Sequence, residues 1–196
     1  MALNCKITQG VAKECGFKAG GVKYIALANL KDIVVSPTNL SAGVIEASEI
    51  TADANLAKGE KLFKVFEVAD QTGVASSTIQ VGGSKDAKSL LHTVGGQVIG
   101  LGADEDGNPI LVGDEYANFV LADVVALVRQ ADGKVVLFGY SNGMKSDNFD
   151  YTTGTSESDL NGITFQFSGT QYMSPIVIEG GNTAWATLIG IEGTKE

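Results

Sequence analysis

Val124-Val125-Ala126-Leu127-Val128-Arg129 runs into Gln130-Ala131-Asp132-Gly133 and out again through Lys134-Val135-Val136-Leu137-Phe138. Two apolar β-forming runs joined through Asp-Gly are the strongest short-range hairpin signal that a sequence carries. The chain is therefore read as a sheet protein from this hairpin outward. Downstream, Ile163-Thr164-Phe165-Gln166-Phe167, Met173 to Ile178 and Thr183 to Ile191 continue a ladder of strand-like segments. From Val124 to its end the chain contains no His and no Cys, and its carboxylates are scattered. That half reads as sheet and surface rather than as a reaction centre.

Upstream of the hairpin, Gly20-Gly21 opens Val22-Lys23-Tyr24-Ile25-Ala26-Leu27-Ala28, which alternates as a strand does. Ile33-Val34-Val35 follows and stops at Ser36-Pro37. Leu62 to Val68 and Thr78-Ile79-Gln80-Val81 are two more strands, the second ended by Gly82-Gly83. Between Lys88 and Leu101, the residues Leu90, Leu91, Val94 and Val98 fit a helical stripe. Gly95-Gly96 interrupts that stripe, so the segment is read as a strand with a bulge. Asn108-Pro109 has the chemistry of a helix start, with Asn as N-cap and Pro in the first turn. Val112, Tyr116, Phe119 and Val120 then share one face, which predicts the main helix over 109–122.

Residues 38–60 are small and acidic, with Glu46, Glu49 and Asp53, and read as a long loop or mobile hairpin. Its apolar residues, Leu40, Val44, Ile45, Ile50 and Leu56, are few. The expectation is that this stretch does not fold back onto its own sheet and buries those five residues in a neighbouring subunit.

The totals exclude several classes. The chain has 196 residues, 44% of them hydrophobic, with 25 Gly and 3 Pro. That suits one domain with a real core, 1–196, whose first twenty residues form a Gly-punctuated arm. Fourteen basic against 23 acidic residues leave a net charge of −9, and no basic face for general nucleic-acid binding. No segment approaches the roughly 18–20 continuous apolar residues of a membrane span. The first residues lack the charged and apolar regions of a signal peptide, so folding is expected in the cytosol with Cys5 and Cys15 reduced.

Sites of chemistry are sparse. His92 is the only histidine and lies far in sequence from both Cys. It is expected to be a solvent-facing or hydrogen-bonded structural residue, because a general base needs an orienting partner. Cys5 and Cys15, with no second pair and no nearby His, do not make a zinc site. Asp104, Asp106, Asn108 and Glu115 fall at positions 1, 3, 5 and 12 of a calcium loop. Pro109 stands where that loop needs Gly, and Val112 offers no oxygen, so a polar turn is expected instead. Glu157 and Asp159 sit in a Ser/Thr-rich loop and read as solvated. Gly82-Gly83-Ser84-Lys85 lacks the first half of a phosphate-loop motif. No catalytic residue, metal or cofactor is expected.

Three blocks together carry a resemblance. They are Cys15 to Asn29, with Gly20-Gly21-Val22-Lys23 stepping into a strand; Val135 to Met144, a strand followed by Gly139 and Gly143; and Asp159 to Thr170, followed by Ser174-Pro175. This order resembles the tail tube (major tail) proteins of tailed bacteriophages, especially those of phages with Bacteroidota hosts. The resemblance implies a mainly β fold, a two-sheet antiparallel β-sandwich or barrel with one flanking α-helix and a long loop or hairpin extension. It implies a virion structural protein, made in the host cytoplasm, whose hexameric rings stack into a tube that conducts DNA. Further tail proteins would meet the tube ends. The alternative is an acidic β-sandwich binding module, such as a capsid decoration or carbohydrate-binding protein. A hydrolase is the third and weakest reading.

Overall fold

The computed structural model describes residues 20–36, 43–81, 88–99, 114–152 and 161–195. Its centre is a six-stranded sheet built on the quoted hairpin. Strands β8 (Val124–Gln130) and β9 (Val135–Phe138) pair antiparallel in its middle. On one side β8 pairs with β1 (Val22–Asn29), which pairs with β5 (Lys64–Glu67) at the edge. On the other side β9 pairs with β12 (Ile176–Ile178). That strand carries β3 (Val44–Ile45) as a parallel edge. A four-stranded antiparallel sheet runs in the order β10 (Lys145–Thr152), β11 (Gly162–Gln171), β7 (Lys88–Ile99), β6 (Val74–Val81). Strands β2 (Ile33–Val35) and β4 (Ile50–Ala52) make a separate pair.

The hairpin turn differs in type from a two-residue Asp-Gly turn. Gly133 N donates to the Gln130 carbonyl at 3.0 Å, and Gln130 N donates to the Lys134 carbonyl at 2.9 Å. Only Gly133, at φ 87°, takes a positive φ. The loop is thus Ala131-Asp132-Gly133, a type I turn closed by a glycine bulge. The Asp132 carboxylate accepts from Lys134 N at 3.1 Å and fixes the exit. A Cβ at Gly133 would meet the Asn182 side-chain amide, nearest at 3.5 Å, an ordinary contact. The cost of Gly133→Val is therefore backbone strain, expected at about 1–3 kcal/mol by chemical denaturation.

Alternation along the central strands makes two cores. One face of the six-stranded sheet sends in Ala26, Ala28, Val125, Leu127, Val135 and Leu137. Ile33, Ile45, Ile50, Leu56, Trp185 and Leu188 cover that face. The other face sends in Ile25, Leu27, Val124, Ala126, Val128, Val136 and Phe138. These meet Val94, Phe149, Ile163, Phe165 and Phe167 of the four-stranded sheet. The two sheets stack as a β-sandwich, and β8 and β9, covered on both faces, read as unbroken apolar runs for that reason.

Three expectations are corrected here. Thr183 to Ile191 is not a strand: Thr183 to Ile189 belong to helix α2 (Gly181–Ile189), and Gly190 caps it. Ala184, Trp185 and Leu188 are buried at helical spacing, on one face, and the β-forming Thr and Ile residues yield to that packing. Trp185 lies 6.0 Å from the Tyr24 ring, and Arg129 Nε donates to Asn182 Oδ1 at 2.9 Å, which fixes the helix on the sheet. The strand β7 is continuous through Gly95-Gly96, without the expected bulge against β11. The glycines serve close packing instead. A Cβ at Gly95 would sit 2.5 Å from the Phe165 carbonyl oxygen, and one at Gly96 would sit 2.6 Å from Val68 Cγ1. Among the described residues helix α1 spans Asp114–Leu121, and residues 109–113 of the expected 109–122 helix lie outside them.

The third correction concerns 38–60. The described part, from residue 43, folds onto the chain's own body. Glu46 and Glu49 cap a single turn of 3-10 helix, Ala47–Glu49, and Glu46 N donates to Glu49 Oε2 at 2.9 Å. Asp53 N donates to the Asp32 carbonyl at 2.8 Å, while the Asp53 carboxylate accepts from Asn55 N at 2.9 Å. The acidic residues that suggested a solvated loop are local caps between short strands.

Candidate functional site: a polar sheet face and its buried anchors

The outer face of the four-stranded sheet is the surface with a distinct chemical character. On β11, Ile163, Phe165 and Phe167 are buried while Thr164, Gln166 and Ser168 face away from the core. Register extends that polarity across the sheet. One row reads Ser76, Thr93, Ser168 and Lys145, and the next Val74, Gly95, Gln166 and Asn148. A third row reads Gln97, Thr164 and Asp150. The charges are few. Lys145 Nζ lies 3.7 Å from an Asp123 carboxylate oxygen. Asp147 stands at a register shift in β10, its carboxylate 3.5 Å from Gln166 Nε2. With Asp150 the face is mostly hydroxyl- and amide-rich and slightly acidic, interrupted by the exposed apolar side chains of Val74 and Ile99.

The sheet's two outer strands, β6 and β10, are each paired on one side only among the described residues. On β6, Ile79 is 70% exposed. Exposed backbone and a large apolar side chain on one edge strand are the features by which a sheet accepts a further strand.

Two buried polar side chains anchor this sheet to the other. The loop from Gly139 to Gly143 connects β9 of one sheet to β10 of the other. Gln171, fully buried at the end of β11, clamps it. Its Oε1 accepts from Ser141 Oγ at 2.7 Å, Asn142 N at 3.1 Å and Ser141 N at 3.3 Å. Its Nε2 donates to the Gly143 carbonyl at 2.7 Å. His92, fully buried on β7, takes the other end of the loop, where its Nδ1 accepts from Gly139 N at 3.2 Å. The Phe138 ring meets His92 edge-on at 5.5 Å. Because Nδ1 accepts, the neutral ring carries its proton on Nε2, and Nε2 has no hydrogen-bond partner. Tyr140 OH is likewise buried without a partner, and burial raises its pKa above the ordinary phenol value.

Of the expected contact residues, Ile45, Ile50 and Leu56 are 3%, 1% and 4% exposed, packed within the chain's own core. That burial removes the apolar reason for them to seek a neighbour. Val44, 40% exposed on the edge strand β3, keeps an open side, and Leu40 lies outside the described residues. His92 is hydrogen-bonded and buried rather than solvent-facing. Cys5, Cys15, residues 82–85, 104–113 and 157–159 lie outside the described residues. Among the described residues, no group of three or more His, Cys, Asp or Glu could hold a metal ion. No helix among them is long and apolar enough to cross a membrane. Sequence reasoning missed Gln171 altogether, since a lone amide between Thr170 and Tyr172 carries no periodic signal. Comparison with protein-family models, with curated proteins and with solved structures finds no match to this chain.

Proposed function

We propose that this protein is a virion structural protein of the tail-tube type, whose copies join side by side into hexameric rings that stack into a conduit for a phage genome. The observation that carries the reading is the four-stranded sheet, polar and slightly acidic on its outer face, whose edge strands β6 and β10 are each strand-paired on one side only among the described residues, with α1 packed beside β10. A hydroxyl- and amide-rich surface whose Lys145 lies beside the Asp123 carboxylate, in a chain with net charge −9, offers a passing phosphate backbone little cationic hold. The edges β6 and β10 lie on opposite sides of one sheet, so joining β6 of one copy to β10 of the next is a head-to-tail contact. Repeated contacts of that kind close a ring when the rotation allows it. Residues 1–20 are the proposed arm between rings, other tail proteins the partners at the tube ends, and the virion tail the final location.

Sedimentation velocity at rising protein concentration tests this. The expected result is a shift from the 20.3 kDa monomer to a species of six copies. Ile79→Lys should leave the monomer folded, with a stability change within about 0.5 kcal/mol, because the side chain is largely exposed. It should also suppress the larger species by placing a charge on the joining edge. A wild-type chain that stays monomeric at every concentration would favour a binding module instead.

A further inference from the structure

We propose that His92 is an acid-sensitive latch: taking up a proton breaks its bond to Gly139 and releases that end of the Gly139–Gly143 loop from the four-stranded sheet. The latch is geometric. Gly139 N–H is a fixed donor, so His92 Nδ1 can hold it only while unprotonated. A proton on Nδ1 sets two donors against each other at 3.2 Å. Nε2 has no close hydrogen-bond partner, and a backbone hydrogen bond to Met173 offsets only part of what burying the cation costs.

The surroundings offer no counter-charge. In register His92 faces Ser77 on β6 and Gly169 on β11. Phe138 on β9 presents a ring edge, and the segment after β11 presents the Met173 backbone. None of these groups is charged. Tyr140, next to Gly139, is raised above its ordinary value and takes no part in the acid range. The other clamp, Gln171, does not titrate, so acid releases one end of the loop and leaves the other held.

Burial supports the same direction, lowering the His92 pKa from 6.5 to about 4 against a smaller opposing effect of the Met173 backbone. The closed state is the one with the depressed pKa. The latch is therefore at full strength above pH 6.5 and weakens as pH falls from there to about 4. One proton taken up on opening makes the open fraction rise by up to tenfold per pH unit in that window, approaching roughly 300-fold across the whole transition.

Amide hydrogen exchange of the wild-type chain in dilute solution, corrected for intrinsic rates, tests the proposal. Gly139 protection should fall by about 80-fold between pH 6.5 and 4, while amides in the middle of β11 keep theirs. In the same samples the His92 ring should titrate near 4 by NMR. In His92→Gln the pH dependence of Gly139 protection should vanish. If that variant does not fold, the wild-type ring titration and Gly139 exchange decide alone. A ring that titrates near 6.5, Gly139 protection that ignores pH, or a simultaneous loss of protection across both sheets would overturn the latch.

Discussion

A chain lacking residues 44–56 is expected not to fold. The segment supplies Ile45, Ile50 and Leu56, each at most 4% exposed, to the core between the six-stranded sheet and α2. It also supplies β4, the partner of β2, and β3, the parallel edge beside β12. Truncating one such side chain to Ala costs about 2–5 kcal/mol. Losing three removes about 6–15 kcal/mol, as much as the roughly 5–15 kcal/mol that stabilises a typical domain. Circular dichroism and amide dispersion should show an unfolded or aggregated product. The milder Ile50→Ala should lower the unfolding free energy by about 2–5 kcal/mol in urea. A deletion variant with a cooperative melt near that of the parent would show that the segment is peripheral after all.

Gln171→Leu is the second large effect. The side chain is fully buried and makes four hydrogen bonds to the loop that joins the sheets. Leu fits the volume but strips partners from Ser141 N, Asn142 N and the Gly143 carbonyl. Each buried group left unpaired costs about 1–3 kcal/mol, and the partly exposed Ser141 and Asn142 recover some of that from water. The expected loss is about 2–4 kcal/mol by equilibrium denaturation. The Ser141 and Asn142 amides should also exchange faster. A loss under about 0.5 kcal/mol would mean that the loop is held by its backbone alone.

Much of the sheet framework was legible because its strands are simple. The central hairpin, β1, β2, β5 and the Ile163–Phe167 stretch each carry apolar runs or alternation that a period-two pattern reveals. Strand β10 was not, because Lys-Ser-Asp-Asn-Phe-Asp-Tyr-Thr has one buried residue, Phe149, and forms through register with β11. Helix α2 was misread because Thr, Trp and Ile favour strands locally while tertiary burial of Ala184, Trp185 and Leu188 decides the outcome. The 43–60 segment was misread because its carboxylates cap turns, a role that composition does not separate from solvation. The polar outer face was visible in the Thr164, Gln166 and Ser168 alternation. Its anchors were not, since nothing in sequence brings His92 to Gly139, 47 residues away, or Gln171 to Ser141.

The central claim is that the four-stranded sheet lines an assembly built from copies of this chain. Negative-stain electron microscopy of the purified protein, concentrated at neutral pH, tests it most directly. The account predicts rings of uniform diameter with a stain-filled centre, stacking into tubes as concentration rises. Dispersed single particles of monomer size under the same conditions would contradict it.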